Sequence, residues 1–434
     1  MRAAISGVIT TLLTSHALRN TRRALAALPR RLGGRMAEIQ YFHQADDPYS
    51  HLCAQALPAL AARANARLVV HIVPPPDDAA APERALLAAW SIRDAGTLAQ
   101  RLGLSWTGNV VQPAPELTAL ASATLVEAAK HEGFAEAAVK IGEALWRGDI
   151  GVLTSLPSAD AAETDAAMSA AAKLRTEKGH YLGGTFYFES EWYWGLDRLH
   201  YLEARLHAAG LIKDGAPETF IAPVKDIECL AMPTNGAKST LDFFYSFRSP
   251  YTYISVPRVR KLAKHYGAEL RLRFILPMVM RGLPVPLPKS MYIMRDTKRE
   301  ADRVGLPFGK IVDPRGSATE RGIAVLARAI PLGRGEDFSE SFLRGVWSEG
   351  VDGASDAGLM QIAARAGLDE VFVRAALADD SWRPVAEANR AELFAHGLWG
   401  APTLSINGQP GHWGQDRLWA VENELIEATA ARFP

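Results

Sequence analysis

Two cysteines in 434 residues, Cys53 and Cys229, leave this chain with little thiol chemistry of its own. They form no CxxC, which excludes a dithiol redox centre and a thiolate metal cluster and suits a reducing compartment. The histidines are scattered without HxxxH or HExxH pairing, so no metal site is expected. The apolar run Ala4 to Leu13 is too short and too polar to span a bilayer. Net charge is also missing: 48 basic residues balance 48 acidic ones. That balance argues against a nucleic-acid or membrane-surface role. Acids are absent from residues 1–35, which hold seven arginines (Arg2, Arg19, Arg22, Arg23, Arg30, Arg31, Arg35), so the remainder sums to −7. This stretch lacks the charge order and small-residue cleavage site of a secretory signal. It is expected to be a flexible basic tail, or to precede a later start at Met36. The chain is then expected in the cytoplasm, with targeting to an organelle by the Arg-rich tail as the alternative.

What the sequence does contain is itself, twice. Ile39 to Leu52 (IQYFHQADDPYSHL) returns 202 positions later as Leu241 to Ile254 (LDFFYSFRSPYTYI). The register holds without a gap through Phe42/Phe244, Pro48/Pro250, Tyr49/Tyr251, Asp94/Asp296 and Leu104/Leu306. So long a period is a duplicated domain of about 200 residues rather than a solenoid repeat. A hydrophobic content of 48% with 22% charged residues gives each copy enough apolar material for its own core.

Each copy follows the same pattern. A strand (Ile39–His43; Thr240–Tyr245) leads through X-Pro into a helix (Tyr49–Ala64; Tyr251–Tyr266) and a second strand (Arg67–Val73; Glu269–Leu276). This is a βαβ unit with parallel strands. A long helical stretch follows, then a short strand, a hairpin and a last helix. In the second copy these are Thr403–Ile406, the turn Asn407-Gly408 and Asp416–Ala431. The expected division is a basic tail (1–35), a first domain (36–212), a Pro/Gly-containing linker (213–238) and a second domain (239–434).

Three separated pieces of the second copy carry chemistry. They are Phe247-Arg-Ser-Pro-Tyr-Thr-Tyr253, Gly397-Leu-Trp-Gly-Ala-Pro-Thr-Leu404 and Gly411-His-Trp-Gly-Gln-Asp-Arg-Leu418. Ser249-Pro250 suits a helix start, with serine capping and proline at the first helical position. The positive end of that helix also favours an anion. Pro402 suits the first position of a strand. Asp416 suits a helix cap, and Trp413 a core residue.

Together with the strand order, these pieces resemble the 2-hydroxychromene-2-carboxylate isomerase and kappa-class glutathione transferase family. That family has a DsbA-like thioredoxin fold with a helical insertion. The resemblance covers Thr240–Pro434 and includes Lys289-Ser-Met-Tyr-Ile-Met-Arg-Asp296. It implies an α/β chain of two thioredoxin-like domains (βαβ, helical insertion, ββα) and glutathione as cofactor. In the family the serine matching Ser249 hydrogen-bonds the glutathione sulfur and helps hold it as thiolate, the nucleophilic form. The proline matching Pro402 is cis, and the backbone of Ala401 would pair with the peptide part of glutathione. Gln415 and Asp416 would receive the γ-glutamyl end, and Lys289 the glycyl carboxylate or solvent. A second pocket would involve Tyr251, Tyr253 and Trp399 with Met278, Met280 and Met291, residue types equally at home in a core. Asp296 and Arg299 are expected to pair on a helix surface or between helices.

The first copy departs from this pattern where it matters. Asp47 stands at the position of Ser249, Gly184 at that of Pro402, Leu87 at that of Lys289 and Leu196 at that of Gln415. A carboxylate beside a sulfur raises the thiol pKa and disfavours thiolate. The first domain is therefore expected to be a structural partner without a glutathione site. The alternative is a changed site built from Asp47, His51 and Cys53, against a capping Asp and a surface His.

The leading expectation is a glutathione-dependent isomerase acting on an unsaturated, aromatic-derived small molecule. A kappa-like glutathione transferase is the alternative, since both would share the thiolate site. A disulfide oxidoreductase lacks its CxxC. From another class comes a non-catalytic scaffold of two thioredoxin-like domains. No nucleic-acid or metal partner is expected. The resemblance also suggests pairing of the two domains within the chain, or a homodimer.

Overall fold

The computed structural model describes residues 2–106, 111–230 and 239–430. Residues 231–238, the end of the expected linker, lie outside the described residues. The chain separates into two compact units. One comprises Met1–Arg19, Lys225–Val285 and Ile293–Pro434, and the other Asn20–Val224 and Pro286–Tyr292. They are the second-repeat and first-repeat units below.

In the first-repeat unit the strands are β1 (Ala37–His43), β2 (Ala66–Ile72), β3 (Thr185–Phe188) and β4 (Glu191–Trp194), in sheet order β2-β1-β3-β4. The second-repeat unit has β5 (Thr240–Tyr245), β6 (Glu269–Phe274), β7 (Thr403–Ile406) and β8 (His412–Trp413), in order β6-β5-β7-β8. In both, the first two strands are parallel and the rest antiparallel. This is the thioredoxin-like arrangement, with the helical insertion between the second and third strands. The registers coincide as well. Phe42 faces Thr185 in the first sheet, and its counterpart Phe244 faces Thr403 in the second.

Local sequence explains the joints. Pro48 and Pro250 open the helices Pro48–Arg63 and Pro250–Tyr266, with Asp47 and Ser249 as extended caps. Asn407 and Gly408 both take positive φ (51° and 72°), as a two-residue hairpin turn requires. The first copy turns its hairpin with Glu189 and Ser190, also at positive φ (38° and 74°). Each sheet buries an apolar cluster, around Tyr41, Leu52 and Phe186 in one unit and Phe243, Ile254 and Leu404 in the other, and the first buries a smaller one around Phe42 and Trp192.

Two expectations need revision. Residues 1–35 are not an irregular tail: Arg2–Leu13 and His16–Gly33 are helices. Pro286–Tyr292, from the second copy's sequence, belongs to the first-repeat unit, where Tyr292 packs with Phe42, Val73 and Trp192.

Candidate active site

Ser249 ties the second repeat's motifs together. Its hydroxyl accepts the Thr252 N–H at 3.2 Å, capping the helix, and donates to the Ala401 carbonyl at 3.0 Å. The Ala401–Pro402 peptide is cis. The Gly414 N–H donates to the Pro402 carbonyl at 2.9 Å, which brings in the third motif. Gly400 has to be glycine, because a Cβ there would lie 2.4 Å from the Trp413 ring. The Trp413 and Trp399 rings are 4.6 Å apart, and the buried Trp399 indole N–H has no partner among the described residues. Ser249 and Ala401 are both half-buried, so the turn remains accessible.

The structure redistributes the other expected ligands. Gln415 is 2% exposed. Its oxygen accepts from Arg258, and its nitrogen donates to Glu300 at 3.0 Å and to Asp416. Both amide protons are used, so Gln415 holds a buried network rather than a ligand. That network continues through Asp226, which binds Arg258 (3.0 Å) and Arg303 (2.8 Å). Asp416 is half-buried at the edge of the network. Lys289 lies in the first-repeat unit, donating to the Ala80 carbonyl at 2.8 Å. Burial lowers its amine pKa to about 8. It is therefore not grouped with Ser249 in one unit.

Of the expected second pocket, Tyr253 and Trp399 are buried in the core, and Tyr253 donates to the Pro307 carbonyl at 2.7 Å. Tyr251 is half-buried and donates to Asp296 at 2.7 Å. Met278 and Met280 are half-buried on a short helical turn, whereas Met291 falls in the first-repeat unit. Asp296 and Arg299 pair at 2.9 Å within one helix and both are buried, contrary to the surface or inter-helix pair expected. Sequence reading missed Asp296 as the support of Tyr251. The signal was present in the sequence, where Tyr49/Tyr251 and Asp94/Asp296 recur together at the 202-position spacing, and the structure repeats the bond, Tyr49 donating to Asp94 at 2.7 Å. A cavity of about 270 Å³, lined by Arg273, Ala324, Arg328, Trp382 and Asn389, does not include Ser249 or Ala401.

At the equivalent place in the first repeat, Asp47 accepts Ser50 N–H (2.9 Å), Ser50 Oγ (2.7 Å) and Tyr49 N–H (3.3 Å). Gly184 occupies Pro402's place at φ 59°, and a Cβ on it would sit 3.0 Å from the Asp47 carboxylate. The Gly195 N–H donates to the Gly184 carbonyl at 2.8 Å, as Gly414 does to Pro402. Burial raises the Asp47 pKa to about 6, against the lowering effect of the Ser50 bonds. Cys53 is fully buried, faces the Gly184 carbonyl at 3.7 Å, and has its thiol pKa raised by burial and then by Asp47. His51 is buried rather than on the surface, and desolvation lowers its pKa to about 4. A neutral thiol and a neutral imidazole, both sealed, do not make a nucleophilic site.

This geometry defines a thioredoxin-like domain whose helix start carries serine in place of a redox thiol. Residues 240–426 match the DSBA-like thioredoxin domain. Among curated proteins, the chain is similar to the 2-hydroxychromene-2-carboxylate isomerase of Sphingobium xenophagum, 27% identical over 205 residues, covering 43% of this chain and 98% of the relative. It is also similar to that of Pseudomonas sp. (strain C18), 22% identical over 207 residues, covering 46% and 92%. Among solved structures, a 2-hydroxychromene-2-carboxylate isomerase aligns at 20% identity and TM-score 0.38, covering 45% of this chain and all of its own. The cytosolic disulfide reductase DsbM from Pseudomonas aeruginosa aligns at 23% identity and TM-score 0.32, covering 43% and 98%.

Proposed function

We propose that the second-repeat domain is a glutathione-dependent isomerase of the 2-hydroxychromene-2-carboxylate isomerase type, acting on an unsaturated, aromatic-derived small molecule in the cytoplasm. The observation that carries this reading is the Ser249 hydroxyl, held between a helix N-terminus and the Ala401 carbonyl. The curated relatives' names support isomerase over transferase.

Glutathione, when bound, supplies a thiolate that adds reversibly to a conjugated double bond, so that the bond can turn and re-form. Ser249, Ala401 and Pro402 fit such a ligand; Gln415 and Lys289 are engaged elsewhere, and Asp416 accepts from Gln415. The Thr252 N–H polarises the Ser249 hydroxyl, making it a better donor. Turning that donor from Ala401 toward an anion releases the Ala401 carbonyl as an acceptor for a peptide N–H. The positive helix end adds to the stabilisation of the anion. Half-buried Asp416, which already accepts from Gln415, is the carboxylate of this motif that an ammonium group would meet. Asp47 at the equivalent place opposes thiolate, which assigns the first repeat a structural role.

The test is calorimetric titration of glutathione into wild type and Ser249→Ala, with thiolate absorbance followed against pH. Wild type should bind, and the variant should raise the pKa of the bound thiol. Failure of wild type to bind at millimolar glutathione sinks the enzyme reading and leaves a two-domain scaffold.

A further inference from the structure

The N-terminal helices have no part in the proposed chemistry, and both are amphipathic the wrong way round. A surface helix normally turns its apolar stripe inward. Helix His16–Gly33 instead docks by charge. Arg23 binds Glu191 (2.6 Å) and Arg30 binds Glu189 (2.7 Å), on the β3–β4 hairpin. Its other face presents Leu25, Leu28 and Leu32, at i, i+3 and i+7, which are 63%, 46% and 80% exposed. In the second-repeat unit, helix Arg2–Leu13 shows the same inversion independently. Thr10 Oγ1 accepts the Ile311 N–H at 2.9 Å and Ser6 Oγ donates to the Ile311 carbonyl at 3.2 Å. Val8, Ile9 and Leu12 point outward, each more than half exposed.

The charge of the segment suggests what meets these faces. Residues 1–35 contain no acid. Among the described residues, Arg22, Arg31 and Arg35 have no carboxylate partner, while Arg23 and Arg30 are spent on docking. Leucines flanked by unpaired arginines match an anionic headgroup layer over acyl chains. The zero net charge of the whole chain pointed away from a membrane surface. A headgroup layer senses only the charges within about a Debye length of roughly 8–10 Å, so the local charge decides. Among the described residues no helix is long and apolar enough to cross a membrane, so the helices would lie on the surface.

We propose that the N-terminal helices bind an anionic phospholipid surface. Leu25, Leu28 and Leu32 enter the acyl boundary and Arg22, Arg31 and Arg35 meet phosphates. The test uses the full chain and sedimentation with vesicles of phosphatidylcholine alone or mixed with phosphatidylglycerol, at low and high salt. Binding should require phosphatidylglycerol and weaken with salt. Leu25→Ser/Leu28→Ser/Leu32→Ser should lower the partition coefficient by about 100-fold. These side chains are exposed, so circular dichroism and melting should stay as in wild type. Absence of binding to the anionic vesicles overturns the proposal, as does binding that ignores the leucine substitutions. Concentration-dependent self-association that the same substitutions abolish would instead assign the face to a second copy of the chain.

Discussion

Replacing Ser249 by Asp imports the first repeat's residue into the second repeat's turn and separates electrostatics from folding. Aspartate is as good a helix cap as serine, and Asp47 caps the equivalent helix through Tyr49 and Ser50. The fold should survive. Two effects then act on a bound thiolate. The lost hydrogen bond to the anion costs about 1.5–3 kcal/mol. A carboxylate about 4 Å away adds repulsion of about 4 kcal/mol at an effective dielectric of about 20. Together these raise the bound thiol pKa by roughly 4–5 units, enough to remove thiolate at neutral pH. Ser249→Asn keeps the cap without the charge and should raise it by only about 1–2 units. The assay is thiolate absorbance of bound glutathione against pH, with isomerase turnover in parallel. Burial raises the Asp47 carboxyl pKa, and the carboxyl introduced by Ser249→Asp should be ionised at neutral pH and neutral in acid. Glutathione affinity of Ser249→Asp should therefore recover as pH falls. Equal behaviour of the Asp and Asn variants, or a pH-independent loss, would refute the reasoning.

Asp47→Asn tests the same physics in the first repeat. The folded carboxyl has its pKa raised to about 6, so its destabilising effect is absent below the ordinary carboxylate range, grows as pH rises toward 6 and is complete above it. The substitution should stabilise the first-repeat unit by about 1–3 kcal/mol at neutral pH and by nothing once pH falls well below the ordinary carboxylate range, read from its urea transition. Gln415→Ala should destabilise the second-repeat unit by about 2–4 kcal/mol, because Arg258 and Glu300 lose a shared buried partner; calorimetry reads the shift in Tm. Tyr251→Phe should cost about 1–3 kcal/mol by leaving the buried Asp296 with one partner fewer, also by calorimetry. In native protein Cys53, fully buried, should resist iodoacetamide at pH 8 longer than half-buried Cys229, whose thiol pKa is also raised by burial and Glu422, as mass spectrometry would show.

Much of the site was legible because its signals are local or paired along the chain. Ser249-Pro250 and Asp47-Pro48 are caps with a first-turn proline, a preference that any strand-to-helix joint expresses. Aligning Gly179–Thr185 with Gly397–Thr403, 218 positions apart, put Gly184 at the place of Pro402 before any strand register was known, and the Thr185 and Thr403 pairings agree with it. Long-range competition for side chains was not legible. Gln415 looked available because nothing in its motif announces Arg258 and Glu300, far away in the sequence, closing on it. His51 looked like a surface residue because nothing near it in sequence shows Gly142 packed against its ring.

The sequence by itself determined the 202-position echo, the thioredoxin-like order of elements in each part, and the asymmetry of Ser249 against Asp47, because backbone preference and residue identity at a helix start are local properties. Only the tertiary structure decided that Lys289 belongs to the first-repeat unit and that Gln415 is locked in a buried network. It alone showed that the basic N-terminal segment forms helices with their apolar faces outward. Those outcomes depend on which partners distant segments bring together, and hydrogen-bonding capacity or an apolar face is used only once its neighbour is in place.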